Sequence, residues 1–404
     1  MATASRRLPL LRPLSAAACA LLAACGGGGK SNPTSVDQPE LPSVQQGIFR
    51  DSPVTGLSYV SGSESGVTDA EGRFTCATGQ DVAFSIGSLS LGQMPCATLA
   101  HPPALTSSGS FVDPRALNIS RLLLVLDSDG DPTNGVGISE GLRSVAASWA
   151  PVDFAAADFP AELAQVISDV FSVDGRVIAV PPTSNEAYAH MEPRLACAYS
   201  GVFGGVLRTS ANSGVGQAVV LVYRNPASGT DAFALMPYGS RDYLFAPITG
   251  FVTLGTRPTL TSTGDANVPS FDGAYATPDT ISGQWVNPAN DTGKNGTLSA
   301  RRIGPVSGEY KFVGEYGANR DFGGLSVVWS GDSLSGEVYR TTNGEHLALT
   351  GVRVAGDEFE LHLESVEETA TAILMRDAAG EPVSLVGGWP GAYNGAFQAY
   401  GCRL

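Results

Sequence analysis

The chain has 404 residues, a formal net charge of −15 and 43% hydrophobic residues. This length is enough for two or three domains with buried cores. Phosphate backbones and anionic lipid headgroups are bound by clustered Lys and Arg, and this chain has 24 of these against 39 Asp and Glu. The composition therefore argues against a nucleic-acid partner and against electrostatic docking on a membrane, and it favours a soluble folded body.

The first 24 residues have the parts of an export signal. Arg6, Arg7 and Arg12 form a basic front, and the apolar stretch PLSAAACALLAA follows at 13–24. This stretch is shorter than the roughly 20 apolar residues that a membrane-spanning helix needs. We therefore predict that residues 1–24 are a signal peptide, whose removal takes the net charge to about −18.

The sequence LAAC at 22–25 resembles the lipobox of bacterial lipoproteins. The resemblance implies that Cys25 becomes the mature N-terminus and carries lipid, palmitate included, on its thiol and amine. Several acyl chains make a firm anchor at about 0.8 kcal/mol per buried CH2. Cys19 is a poorer candidate, and an ordinary secretory signal is the alternative. The non-acidic Gly26 implies the outer membrane of a Gram-negative cell.

Four further regions follow the signal peptide. Residues 25–46 are rich in Gly, Pro, Ser and Gln, which predicts a flexible tether. Short alternating segments predict a small β-sandwich at 47–106, helical periodicity predicts a connector at 107–198, and many short strands predict a β-barrel-like domain at 199–404. The predicted fold class is mainly β with a helical connector, in which a larger antiparallel meander follows the sandwich.

The sandwich region contains the pattern T-D-x-x-G-x-F, formed by Thr68, Asp69, Gly72 and Phe74. This pattern resembles a turn of carboxypeptidase-regulatory-like and related surface-protein β-sandwiches. The resemblance implies that Asp69 and Gly72 form the turn and that Phe74 enters the core. It also implies a spacer or binding module without catalysis.

Helix signals occur at three places in the connector. Asp113 and Pro114 have the residue types of an N-cap and a first helical position. The segment 158–171 places its apolar residues on one face, and a third helix at 184–198 is expected to be interrupted by Pro193. We expect these helices to cover the sandwich.

The region 199–404 contains ten or so predicted strands and a weak internal duplication. Trp285 with Asn295-Gly296 matches Trp389 with Asn394-Gly395, and the segment SGVFGG at Ser200 echoes VGEYGA at Val313. Two such halves predict one meandering barrel or sandwich. The meander resembles lipocalin-like barrels and surface lipoproteins such as transferrin-binding proteins, although G-x-W lies mid-domain here and on the first strand of lipocalins.

Four cysteines follow the signal peptide: Cys76, Cys96, Cys197 and Cys402. An even number in an oxidising compartment predicts two disulfides with three possible connectivities. We favour Cys76–Cys96, a local loop worth about 3 kcal/mol, and Cys197–Cys402. Cys197 precedes the first strand and Cys402 lies in the last, so the second bridge would tie the seam of a closed sheet.

The best metal candidate is the segment containing Asp127, Asp129 and Asp131, which alternate as the first ligands of a calcium loop do. The later EF-hand positions hold Pro132 and Ile138 in place of Gly and Glu. The alternative is a polar turn that ends one helix before Ser139 caps the next. Otherwise no cofactor is expected.

Signals for catalysis are weak. GISEG at 137–141 has the letters of a nucleophile elbow, but an acidic turn precedes it where that motif needs a strand. Ser139 is therefore interpreted as the N-cap of the helix that follows. His362 between two glutamates is interpreted as an exposed strand residue, and no H-E-x-x-H occurs. We therefore expect no enzyme. The aromatic residues either fill the barrel or form a binding face: Trp285, Trp329, Trp389, Tyr393 and Phe397.

These features together predict a lipid-anchored cell-envelope protein that acts as a non-catalytic binding or adhesion module for a protein or glycan. The alternatives are a lipocalin-like carrier of a small apolar ligand and a purely structural lipoprotein. A carrier requires a cavity of several hundred Å3, and a binding module predicts a filled barrel with an exposed aromatic patch.

Overall fold

The computed structural model describes residues 44–211, 214–225, 230–239, 248–254, 258–262, 268–287, 295–318, 321–364, 369–389 and 395–404. The predicted signal peptide, Cys25 and most of the tether lie outside these residues. Among the helices of the described segments, none combines the length and the apolar character that a membrane span requires.

Two small sheets face each other in the N-terminal region. The strands of this region are β1 (Val44–Phe49), β2 (Val54–Thr55), β3 (Ser58–Ser61), β4 (Glu64–Val67), β5 (Arg73–Ala77), β6 (Asp81–Ile86), β7 (Leu89–Pro95) and β8 (Leu99–Ala100), and all but β2 belong to the two sheets. One sheet has the order β5-β1-β8 and the other β4-β3-β6-β7. Phe84 joins the sheets, because its ring centroid lies 4.9 Å from that of Phe49 and 5.0 Å from that of Phe74.

The T-D-x-x-G-x-F pattern forms the expected turn. The Asp69 carboxylate accepts hydrogen bonds from the backbone N–H groups of Glu71 and Arg73, at 3.0 and 2.8 Å. Gly72 has a φ of +77°, and a Cβ there would lie 2.6 Å from the Phe49 carbonyl oxygen. A side chain at position 72 is therefore disfavoured both by the left-handed backbone and by this close contact. Phe74 is buried in the core, as the resemblance implied.

Helices cover the two sheets. They are α1 (Pro114–Leu126), α2 (Glu140–Val145), α3 (Phe159–Glu162), α4 (Ala164–Asp174) and α5 (Ser184–Tyr199), with 3-10 helices at Pro102–Leu105 and Ala146–Ser148. A short strand, β9 (Val136–Gly137), precedes α2 and pairs with β2. Leu122 and Leu126 of α1 and Val166 of α4 share one core with the phenylalanines of the sheets.

The helix boundaries follow local signals except at one proline. Asp113 accepts a hydrogen bond from the Arg115 N–H and caps α1, as predicted. The predicted interruption at Pro193 is wrong, because α5 continues through it to Tyr199. Proline removes one backbone hydrogen bond, and burial of Met191 and Leu195 on either side holds the helix together.

Sixteen strands form two closed antiparallel barrels. The first contains β10 (Gly201–Thr209), β11 (Gly214–Asn225), β12 (Thr230–Gly239), β13 (Ile248–Thr253), β14 (Thr259–Ser262), β15 (Ser270–Thr277), β16 (Thr280–Val286) and β17 (Asn295–Ile303). The second contains β18 (Tyr310–Ala318), β19 (Asp321–Ser330), β20 (Ser333–Arg340), β21 (Glu345–Ala355), β22 (Glu358–Leu363), β23 (Thr369–Arg376), β24 (Pro382–Trp389) and β25 (Gly395–Arg403).

The mainly β fold class is confirmed, but the expectation of a single barrel is wrong. Each half closes on itself, since β10 pairs with β17 and β18 pairs with β25. Eight strands are enough to close a barrel around side chains alone. The duplicated halves therefore yield two barrels in series.

The strand register confirms one match of the duplication and corrects the other. Trp285 lies opposite Gly296, and Trp389 lies opposite Gly395, at equivalent places in the two barrels. The match between the segments at Ser200 and Val313 is wrong. The equivalent positions of the two barrels are instead held by Gly205, which lies opposite Ala300, and by Gly314, which lies opposite Ala399.

Both barrels contact the C-terminus of α5. The buried Lys311 of the second barrel places its Nζ 3.0 Å from the Ser200 carbonyl oxygen and 3.2 Å from that of Ala198. Arg302 of the first barrel also donates to the Ser200 carbonyl, at 2.5 Å. Burial lowers the pKa of Lys311. The two barrels thus supply donors to carbonyls that the helix end leaves unpaired.

The disulfide pairing agrees with the sequence-based preference. Cys76 pairs with Cys96 and Cys197 with Cys402, at Cα–Cα distances of 5.6 and 5.7 Å. Cys197 lies in α5, before the first barrel strand, and Cys402 lies in the last strand, as expected. The expected role of the second bridge is wrong, because the last strand closes the second barrel on β18 and does not pair with β10. This bridge joins the helical region to the last strand and does not close a sheet.

An acidic side chain is buried beneath α1. Asp51, which follows β1, has no exposed surface, and both of its carboxylate oxygens lie 2.9 Å from the Ser120 hydroxyl. Burial raises the pKa of Asp51 to about 7, while the Ser120 hydrogen bond and the charge of Arg194 lower it. Desolvation of the charged form outweighs both compensating contacts.

Candidate binding surfaces

Aromatic side chains of the described residues pack inside both barrels. In the first barrel the rings of Phe233 and Phe271 lie 5.9 Å apart, and the fully buried Trp285 donates its Nε1–H to the Thr297 carbonyl at 3.2 Å. In the second barrel the Trp389 and Phe397 rings lie 5.2 Å apart. These aromatic residues therefore serve as packing, and Trp329 does likewise. Tyr393 lies outside the described residues.

Arginine side chains cover one end of the second barrel. The Arg353 guanidinium lies 5.2 Å from the centroids of both the Trp329 and the Phe359 rings. Beside it, Arg376 donates to Asp357 at 2.8 Å, and this hydrogen bond lowers the pKa of the carboxyl group. In the first barrel Arg302 lies 4.7 Å from the Phe203 ring centroid. Cation–π contacts and ion pairs thus hold these arginine side chains over the ends of the barrels.

A groove of about 760 Å3 lies where the two barrels adjoin. Met236 lines it from the first barrel, and Phe322 and Val386 line it from the outside of the second. The exposed Glu315 and Gln398 supply its polar groups. The volume is that of a small-molecule site, and the lining is largely apolar.

The acidic segment forms a turn. Asp129 accepts hydrogen bonds from the Asp131 N–H and the Asn134 side chain, each at 2.9 Å, and Asp131 accepts from the Thr133 N–H at 3.1 Å. Asp127 is buried, which raises its pKa, and accepts from the Gly137 N–H at 3.0 Å. Within the described ranges, His, Cys, Asp and Glu form no group of three or more that could hold a metal ion. Calcium binding stays a prediction without support from these contacts.

The weak catalytic signals have structural roles. Ser139 accepts the Leu142 N–H at 3.1 Å, which makes it the N-cap of α2, and donates to Asp174 at 2.9 Å. His362 is exposed and lies 3.1 Å from Glu360. The sequence did not indicate a contact of 3.1 Å between His190 and Ser52, but the Ser52 hydroxyl donates to the Pro132 carbonyl and is buried. Its proton is therefore not directed at the imidazole.

Comparison with known proteins finds no matching family model and no matching curated protein. Among solved structures, a protein of unknown function from the DUF3598 family of Nostoc punctiforme is 8% identical with a TM-score of 0.19, and the match covers 52% of this chain and 98% of that one. Intact Ap-TbpB, with its N and C lobes, is 10% identical with a TM-score of 0.16, over 50% of this chain and 64% of its own. Similarity this low carries no functional information. The assignment of two closed barrels is based on the strand pairing alone.

The sequence did not reveal the groove between the barrels. Its lining comes from strands of both barrels, including β12 and β24, which are far apart along the chain. No residue pattern within one segment marks a surface that arises only when two closed barrels adjoin.

Proposed function

We propose that this chain is a lipid-anchored, non-catalytic binding protein of the Gram-negative outer membrane. The packing inside the barrels carries the proposal: among the described residues, buried rings such as those of Phe233, Phe271 and Trp389 occupy the interiors, which leaves the outer surfaces for recognition. A protein or glycan partner at the envelope suits such surfaces. The net charge of −15 supports a body that stays off an anionic membrane and off nucleic acid.

The anchor is tested by replacing the proposed lipid attachment residue. In Gram-negative cells fed an alkyne-tagged palmitate, we expect the natural chain to be labelled and to sediment with membranes. The Cys25→Ser variant is expected to lose the label and to appear in the soluble fraction, because a lipid-free chain lacks the buried CH2 groups that hold it. Cys19→Ser is the matched control and is expected to behave like the natural chain. Membrane-bound Cys25→Ser, or loss of label from Cys19→Ser, contradicts the assignment.

A second candidate function is transport of a small apolar ligand, and the groove between the barrels favours it. Native mass spectrometry of the soluble Cys25→Ser variant distinguishes the two functions. We expect a bare protein mass, four hydrogens below that of the fully reduced chain because two disulfides form. An additional mass that dissociates as a lipid, and that Val386→Gln abolishes, supports the carrier and rejects the first proposal.

A further inference from the structure

One cross-strand row on the outer face of the first barrel combines polar side chains with an exposed aromatic ring. The register places Phe251 opposite Thr261, Thr261 opposite Asp272, Asp272 opposite Gln284, and Gln284 opposite Thr297. We call these five residues, one from each strand between β13 and β17, the polar row. All five are exposed, Phe251 to 53%. Neighbouring strands are about 4.8 Å apart, so the five side chains form a continuous line.

A groove of about 520 Å3 lies along this row. Thr261, Asp272 and Gln284 of the row line it, and the groove also includes three hydroxyl-bearing residues: Thr259, Ser270 and Ser282. Phe251 borders it, because it pairs with Thr261. The volume lies within the range of small-molecule and oligomer-segment sites.

The polar groups of the groove are available for a ligand. The side chains of Thr261, Asp272, Ser282 and Gln284 form no hydrogen bond with any residue that the structure describes. Asp272 is the one carboxylate among the lining residues, and neither Lys nor Arg is among them. The lining therefore suits neither an anion nor a purely apolar ligand.

These properties specify the chemistry of a ligand. Hydroxyl, amide and carboxylate groups match a ligand that carries many neutral donors and acceptors. The exposed Phe251 ring, with its negative face, matches weakly positive C–H groups on one side of that ligand. We propose that the polar row binds a neutral oligosaccharide. This proposal rests on the proposed function and specifies its ligand.

The second barrel provides an internal comparison. At the equivalent register its row consists of Val352, Glu360, Thr371, Gly388 and Ala396. The equivalence follows from the tryptophans, since Gln284 precedes Trp285 as Gly388 precedes Trp389. The second row has neither the ring nor the amide. A closed barrel of this kind therefore folds without the polar row, which is a property of the first barrel alone.

The proposal is tested with the oxidised full-length protein in detergent micelles on an array of neutral, sialylated and sulfated glycans. We expect retention on neutral glycans, followed by titration calorimetry with the best of them. Phe251→Ala and Asp272→Asn are each expected to weaken binding by about tenfold, equivalent to loss of one aromatic or charged contact. The matched controls on the second barrel, Val352→Ala and Glu360→Gln, are expected to stay within about twofold of the natural chain. All four side chains are outward-facing, so the fold is retained.

Three results overturn the proposal. The first is no retention on any neutral glycan, and the second is an equal loss from the control variants. The third is a photocrosslinker at Gln284 that captures only a protein in intact cells. Each of these leaves the Cys25 fractionation and the native mass unaffected, so failure of the oligosaccharide site is distinguishable from failure of the anchored binding protein.

Discussion

The Cys197→Ala/Cys402→Ala double variant is expected to lose about 4 to 5 kcal/mol of unfolding free energy. The two cysteines are separated by 205 residues, so the bridge constrains the unfolded chain over both barrels. In the chain-entropy description the stabilisation rises slowly with loop length and reaches this magnitude for loops beyond about 100 residues. Urea unfolding, monitored by the fluorescence of the buried tryptophans, measures the loss.

The other disulfide provides the matched control for this prediction. Cys76 and Cys96 are separated by only 20 residues, so Cys76→Ala/Cys96→Ala is expected to lose about 3 kcal/mol. An unfolding midpoint for Cys197→Ala/Cys402→Ala equal to that of the natural chain contradicts the prediction. A larger loss from the shorter loop contradicts its entropic basis.

Replacing the buried Asp51 by asparagine is expected to stabilise the protein by up to about 4 kcal/mol at pH 8 and by almost nothing near pH 4. The pKa of Asp51 is raised to about 7 in the folded protein, against an ordinary value of 3.8. Between these values the folded state binds more protons than the unfolded state, so this residue's contribution falls as pH rises. Each pKa unit is equivalent to about 1.4 kcal/mol. Asparagine accepts the Ser120 hydrogen bond without carrying a charge.

Urea unfolding of both proteins from pH 4 to 8 measures the Asp51 effect as a difference between them. This difference cancels the opposite trend from His101, whose burial lowers its pKa to about 3. Asp158→Asn, at an exposed position without a side-chain capping hydrogen bond, is the control for removing a carboxylate from the surface. A constant difference between Asp51→Asn and the natural chain across this pH range rejects the raised pKa.

Local features of the fold were predictable because they depend on neighbouring residues. Asp113 before Pro114 and the turn at Asp69 and Gly72 are specified within a few positions. The disulfide pairing was also predictable, although for Cys197–Cys402 the supporting reason was wrong. Barrel closure depends instead on contacts between strands about 100 residues apart, such as Val202 opposite Ile303, and periodicity does not reveal how many strands precede closure.

The candidate surfaces were less predictable than the fold. Phe251 and Gln284 are unremarkable in their own segments, and they share a row only through the register of four successive strand pairs. The aromatic residues that stood out in sequence, such as Trp285 and Trp389, are buried instead. Large aromatics lose the most contact with water on burial, so a small closed barrel uses them as its filling.

The bridge between α5 and β25 also determines how the protein carries mechanical load. A partner that holds the last strand, while the proposed membrane anchor holds the other end of the chain, applies tension across the Cys197–Cys402 bond. That covalent bond bypasses the hydrogen bonds of all sixteen barrel strands. At about 3.5 Å per extended residue, roughly 700 Å of chain is thereby shielded from stretching. Under such tension the load along the chain passes from the bridge to the N-terminal sheets and helices and does not run through the barrel strands.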